Sequence, residues 1–107
     1  FLKMIKIGNI KIGQNKIPKL ISEISGNHGG SLSNAIKLIK LAAKNGTDLI
    51  KLQTYDPNSI TLNSNRSEFI IKDKKSLWSK KKLYDLYKKG QTLREWHYKI
   101  FQEAKKK

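Results

Sequence analysis

Two short apolar runs of this chain end in side chains that can do chemistry. Ile21-Ser-Glu-Ile-Ser25 carries a carboxylate, Glu23, among isoleucines, and Leu49-Ile-Lys-Leu-Gln53 carries an ammonium, Lys51, and an amide, Gln53. Side chains on a strand alternate faces with period 2. Ile21, Glu23 and Ser25 therefore share one face, and Lys51 and Gln53 share the corresponding face of a second strand. Strands with a purely structural role would carry Val, Ile or Leu at these positions. An acidic residue in such a run is costly unless it is paired or functional. The plainer alternatives are a salt bridge between Glu23 and Lys51, which an unliganded site would also allow, and simple packing for Gln53. A carboxylate, an ammonium and an amide at strand ends, joined by one helical crossover, is how an α/β barrel begins to build an active site.

The intervening residues supply that crossover. Gly26 to Gly30 form a glycine-rich loop that holds Asn27 and His28 at the reactive end of the first strand, and Ser31 or Ser33 can cap a helix running to about Asn45. Ala35, Ile36, Leu38, Ile39, Ala42 and Ala43 form its apolar stripe, Lys37, Lys40 and Lys44 its wet face, and Gly46 stops it. The strands are expected over Lys19–Ser25, after Pro18, and Leu49–Thr54. Upstream, Lys3 to Gly13 alternates around Gly8-Asn9, a dipeptide suited to a hairpin turn. A lone histidine in a loop is more often a hydrogen-bonding residue than a metal ligand, and His28 is read that way.

Downstream, periodicity fails from Asp56 to about Ser79, a long excursion with Leu62, Phe69, Ile70, Leu77 and Trp78 as its expected anchors. Arg66 lies in it, either solvated or in contact with an acidic ligand. Lys81–Lys89 reads as a helix with Leu83, Leu86 and Tyr87 on one side and Gly90 at its end. Thr92-Leu-Arg-Glu95 has the spacing of a capping box, in which Thr92 bonds forward to a free amide and Glu95 reaches back. The helix it would open carries Trp96, His97, Ile100, Phe101 and Ala104 at three- and four-residue spacing. Packing or capping explains His97 better than ligation does.

The fold class expected is α/β, the N-terminal portion of a (β/α)8 TIM barrel preceded by a β-hairpin. Residues 1–17 hold the hairpin and residues 18–107 the first β/α units. A closed barrel needs about 250 residues, so the 107 residues are expected to be a piece of a longer protein, truncated at the C-terminal end. Two strands alone would leave unpaired edges.

Composition narrows the alternatives. The chain has no cysteine, which removes disulfides and thiolate chemistry, and no apolar run approaches the ~18–20 residues of a membrane span. The opening residues are too short and too interrupted by lysine for a signal peptide, so a cytoplasmic protein is expected. A net charge of +15 would ordinarily suggest nucleic acid. Yet of 23 basic residues only Arg66 and Arg94 are arginine, the side chain that phosphate and base readers favour. A small basic nucleic-acid-binding module is therefore the competing reading from another class. The favoured one is a solvated basic surface that attracts anionic substrates, with no specific nucleic acid and no membrane.

The ordered motifs S-E-I-S-G-N-H-G-G-S-L (residues 22–32) and G-T-D-L-I-K-L-Q-T-Y (46–55) resemble the N-terminal barrel of the sialic acid synthases. Residues 60–71, Leu77-Trp78, Leu83-Tyr-Asp-Leu-Tyr87 and Thr92-x-x-Glu-Trp-His97 resemble the pseudaminic acid synthase branch in particular. The chain departs from the family where proline and an aromatic residue usually follow the threonine; here Leu93-Arg94 stand.

The resemblance implies a synthase that condenses phosphoenolpyruvate with an N-acylated amino sugar, a 2,4-diacetamido-2,4,6-trideoxy sugar giving pseudaminic acid. The alternatives within the family are N-acetylneuraminate or legionaminic acid synthases. It implies Glu23 as the catalytic carboxylate beside both substrates and Lys51 as the phosphoenolpyruvate-gripping ammonium. Gln53 is implied as a sugar-binding amide, with Asn27 and Arg66 as further substrate contacts. It also implies a homodimer at full length and a divalent metal, Mn or Mg, whose two histidine ligands lie downstream of this chain. The present chain alone is expected to be inactive.

Overall fold

The computed structural model describes residues 3–106. Strands β1 (Ile5–Ile7) and β2 (Ile10–Ile12) form the expected antiparallel hairpin, with Ile7 opposite Ile10. Gly8, at φ +58°, occupies the first turn position, where a side chain would be strained; among the two turn residues it alone has positive φ, the pattern of a type II′ turn. The hairpin adds little to the interior, since Ile5 and Ile7 remain exposed.

A βαβ unit follows. Strand β3 (Ile21–Glu23) runs parallel to β4 (Leu49–Lys51), in the register Ile21 to Leu49, Ser22 to Ile50 and Glu23 to Lys51. Helix α1 (Leu32–Lys44) connects them. Ser31 caps it by accepting from the Asn34 amide, and Gly46, at φ +87°, ends it while its amide donates to the Ala43 carbonyl. The strands are shorter than the expected Lys19–Ser25 and Leu49–Thr54. Ile24 still donates to the Lys51 carbonyl, but Ser25 turns into left-handed backbone at φ +46° and carries the chain off the sheet.

Helix α2 (Leu83–Gly90) turns Leu83, Leu86 and Tyr87 partly inward, as its pattern predicts. Helix α3 (His97–Lys105) packs against α1. Ile24, Ala35, Ile39, Trp96 and Ile100 form the core, backed by Leu32, Leu38, Ile50, Leu52 and Leu93. The core lies on one face of the β3–β4 sheet. The other face, carrying Ile21, Glu23 and Lys51, is exposed.

Three expectations fail. The capping box does not form, because the Thr92 amide that Glu95 would reach donates instead to the Gln53 carbonyl at 2.8 Å. α3 is entered through a 3-10 turn at Arg94–Trp96 without any side-chain cap. In the excursion, Phe69 and Ile70 are half-buried, whereas Leu62, Leu77 and Trp78 are exposed: Pro57 is buried at its start and Ile70 bridges to Lys82, and these contacts leave the other three more than half exposed. In α3, Phe101 and Ala104 remain exposed and Glu103 is buried. Glu103 faces α1, whose Lys40 lies at 3.7 Å, and Lys106, at the end of α3 itself, lies at 3.0 Å. Two ammonium groups make its burial tolerable.

Candidate active site

The parallel register sets Glu23 directly beside Lys51, at the C-terminal ends of adjacent strands. Lys51 Nζ lies 3.1 Å from Glu23 Oε2. The Gln53 amide donates to Glu23 Oε1 at 2.6 Å, and the Ser25 hydroxyl donates to the same oxygen at 3.2 Å. One carboxylate thus gathers three partners, from the end of β4, the residues just beyond it and the loop after β3. The Lys51 contact, then Gln53 and Ser25, hold the Glu23 carboxyl below the usual range, so it is ionised at neutral pH. The cluster is open to solvent, a place where such a pair adds little to stability.

The glycine loop behind it is built as a run of turns, with Asn27 donating to Ile24, Gly29 to Gly26 and Ser31 to His28. Asn27 is exposed and, with Ser25 and Gly26, lines a cavity of about 520 Å³ whose far wall is α2 and Trp78. Ser25 therefore touches both the cavity and Glu23. Gly26 meets Gly90 backbone to backbone: a Cβ on Gly26 would stand 3.0 Å from the Gly90 Cα, whereas one on Gly90 would meet the Tyr55 hydroxyl at 3.3 Å and the Gly26 Cα only at 3.8 Å. A second hollow, of about 330 Å³ between α1, β4 and α3, is lined by aliphatic side chains such as Ile39, Leu49 and Leu52 and lacks such a cluster.

Of the sequence-predicted site residues, Glu23, Lys51 and Gln53 come together and Asn27 lies on the neighbouring loop. Arg66 does not join them; its guanidinium pairs with Glu68 at 3.1 Å on the surface. Ser25 belongs to the cluster although only its shared face with Glu23 hinted at it. His28 is completely buried, and its Nδ1 accepts from the Gly30 amide. His97 shares a 2.6 Å hydrogen bond with Thr54.

The sequence model of the NeuB family matches residues 38–107. The chain belongs to the NeuB family. This NeuB-family chain is 49% identical over 100 residues to a pseudaminic acid synthase of Campylobacter jejuni subsp. jejuni, covering 94% of itself and 28% of that protein. It is 43% identical over 89 residues to a pseudaminic acid synthase of Helicobacter pylori, covering 83% of itself and 26% of that protein. A solved N-acetylneuraminic acid (sialic acid) synthetase from Leptospira borgpetersenii serovar Hardjo-bovis, in complex with citrate, superposes with a TM-score of 0.74 at 26% identity. That match covers 98% of this chain and 31% of the other. The chain thus spans little more than a quarter of the length of the curated relatives it matches.

Proposed function

We propose that this chain supplies the first β/α units of a (β/α)8 synthase barrel, a hairpin over residues 1–17 and the barrel start over 18–107. The reaction is condensation of phosphoenolpyruvate with a 2,4-diacetamido-2,4,6-trideoxy sugar to give pseudaminic acid, in the cytoplasm. The observation that carries this is the Glu23–Lys51–Gln53 cluster on the open face of a parallel sheet whose other face is covered by helices. In a barrel, that open face becomes the lumen and those strand ends the reactive rim. The pseudaminic acid product is favoured over N-acetylneuraminate because identity to pseudaminic acid synthases is 43–49%, against 26% to the sialic acid synthetase.

The roles follow from the charges. Lys51 offers a compact ammonium to the phosphate or carboxylate of phosphoenolpyruvate. In the free site that ammonium is engaged by Glu23, so an arriving anion competes for it and weakens the contact that most depresses the Glu23 carboxyl. Glu23 then becomes a better base, suited to orienting or moving a proton at the reacting centre. Gln53, with donor and acceptor, suits sugar hydroxyl and acetamido groups, and Asn27 and Arg66 are proposed as outer substrate contacts. In the overall reaction the phosphoenolpyruvate methylene carbon bonds to the sugar aldehyde carbon, water adds at the former enol carbon, and phosphate leaves.

The divalent metal, Mn or Mg, that the family implies would serve as a Lewis acid. The described residues do not fit it: they contain no group of three or more His, Cys, Asp or Glu able to hold an ion, and His28 and His97 are already hydrogen-bonded.

The test is a chimera in which this chain replaces the matching residues of the C. jejuni relative. Phosphoenolpyruvate-dependent phosphate release with the diacetamido sugar, exceeding that with N-acetylmannosamine, is the expected result. A folded chimera that turns over neither sugar would sink the reading.

A further inference from the structure

The motifs around His28 and Thr92 lie far apart in sequence, and the roles above use neither residue. They meet in the interior. His28 is 0% exposed and Thr92 1%. The His28 Nδ1 accepts from the Gly30 amide at 3.0 Å, which leaves the proton on Nε2. Nε2 faces the Thr92 hydroxyl at 3.5 Å, and the Trp96 ring stands edge-on to the imidazole with centroids 5.2 Å apart. Thr92 in turn donates its backbone amide to the Gln53 carbonyl at 2.8 Å, and the Gln53 side chain donates to Glu23. The His28 carbonyl accepts from Ser31 and from the Asn34 side chain, so the same residue also anchors the start of α1.

We propose that His28 is a positioning residue: through Thr92 it fixes the backbone at Gln53, and so sets where the Gln53 amide meets the sugar. This rests on the synthase reading for its ligand, but the geometry stands on this chain's own contacts. β4 ends at Lys51, so Gln53 lies beyond the ladder and lacks the sheet's hydrogen bonds to hold it. The Thr92 amide takes that part, and Thr92 is held by a neutral, buried imidazole braced against Trp96. An imidazole has the reach to connect the glycine loop on one side with Thr92 on the other, which a smaller loop residue lacks. This also explains why Thr92 does not cap α3.

Two substitutions separate the links. His28→Asn keeps an acceptor near the Nδ1 position for Gly30 and loses the reach to Thr92; His28→Gln retains a donor near the Nε2 position and loses the acceptor. In the chimera, His28→Asn and Thr92→Val should each raise the KM for the sugar about five- to tenfold. The KM for phosphoenolpyruvate should stay within about twofold, because Lys51 is held by the ladder. His28→Gln should restore most of the sugar affinity. Hydrogen exchange of the Thr92 amide, followed by mass spectrometry, should accelerate in Asn and recover in Gln. This readout needs no turnover, so an inactive chimera would fail the synthase reading while leaving the positioning role testable. Equal loss for both substrates, unchanged sugar KM, or Thr92 exchange that is the same in Asn and Gln would overturn it. If Thr92→Val does not fold, the Asn and Gln pair decides alone.

Discussion

At the scale of single residues, the Glu23–Lys51 pair is the centre of the proposed site, and its two members should fail differently. In the chimera, Glu23→Gln keeps the shape and the hydrogen-bonding reach but removes the charge. It should lower kcat by about a hundredfold or more with little change in thermal stability, measured by phosphate release and circular dichroism. Lys51→Met removes the ammonium, so the KM for phosphoenolpyruvate should rise at least about tenfold while the sugar KM moves little; an effect confined to the sugar would assign Lys51 to the wrong ligand. His28 gives a pH signature. Burial holds its pKa below the ordinary value near 6.5, so the unfolded chain takes up a proton that the folded chain refuses. Stability is therefore full above about 6.5 and falls as pH drops below it toward the folded value. The thermal midpoint should decline between about pH 7 and 5, and His28→Asn should flatten that slope. Glu23 acts in a lower window: its depressed carboxyl contributes above about 4.5, and that contribution is lost as pH falls through its folded value.

At the scale of elements, the site depends on how closely the glycine loop approaches the end of α2. The Gly26–Gly90 contact is backbone against backbone, so a methyl group there cannot be absorbed by a flexible side chain. Gly26→Ala should destabilise the fold by about 1–3 kcal/mol in denaturant melts. It should also displace Ser25, its neighbour, from Glu23. Gly29→Ala is the informative control. Its φ of +60° penalises any Cβ, but nothing lies within 4 Å, so its cost should stay near the conformational one of about 1–2 kcal/mol, without loss of activity. Equal activity in both variants would show that the loop–helix contact does not shape the site. α1 and α3 are joined by both greasy and charged contacts. Ile39 and Ile100 are buried in the same core, while Glu103 receives Lys40 across the helix pair.

At the scale of the whole molecule, the fold is open. Its radius of gyration is 17.5 Å, against about 13 Å for a compact domain of this length. Ile17, Leu20, Ile21, Leu62, Leu77 and Trp78 are all exposed, while the core among the described residues holds five buried apolar side chains. Among the described residues no helix is long and apolar enough to cross a membrane. The isolated chain should melt broadly, bind a hydrophobic dye and show no turnover, whereas the chimera should melt cooperatively and bind far less dye. A sharp, dye-free transition in the isolated chain would mean that these surfaces need no further cover. The +15 charge bears on encounter with anions rather than on the fold.

The sequence by itself determined those features that obey local rules. Period-2 alternation put Glu23, Lys51 and Gln53 on one face, the Ser31 hydroxyl and Gly46 bounded α1, and Gly8 set the hairpin. Each depends on neighbours a few residues away. What only the tertiary structure decided depends on which distant group arrives. The ladder register chose Lys51 as the direct partner of Glu23, and the Gln53 carbonyl drew the Thr92 amide away from a capping box that its spacing had predicted. Lys40 made Glu103 buriable, against the polarity pattern of its helix, while Leu77 and Trp78 found nothing to cover them. His28 shows the difference most plainly. As a residue it was one more polar group in a loop; its burial, tautomer and hold on Gln53 exist only because Thr92 and Trp96 fold back over it from more than sixty residues away.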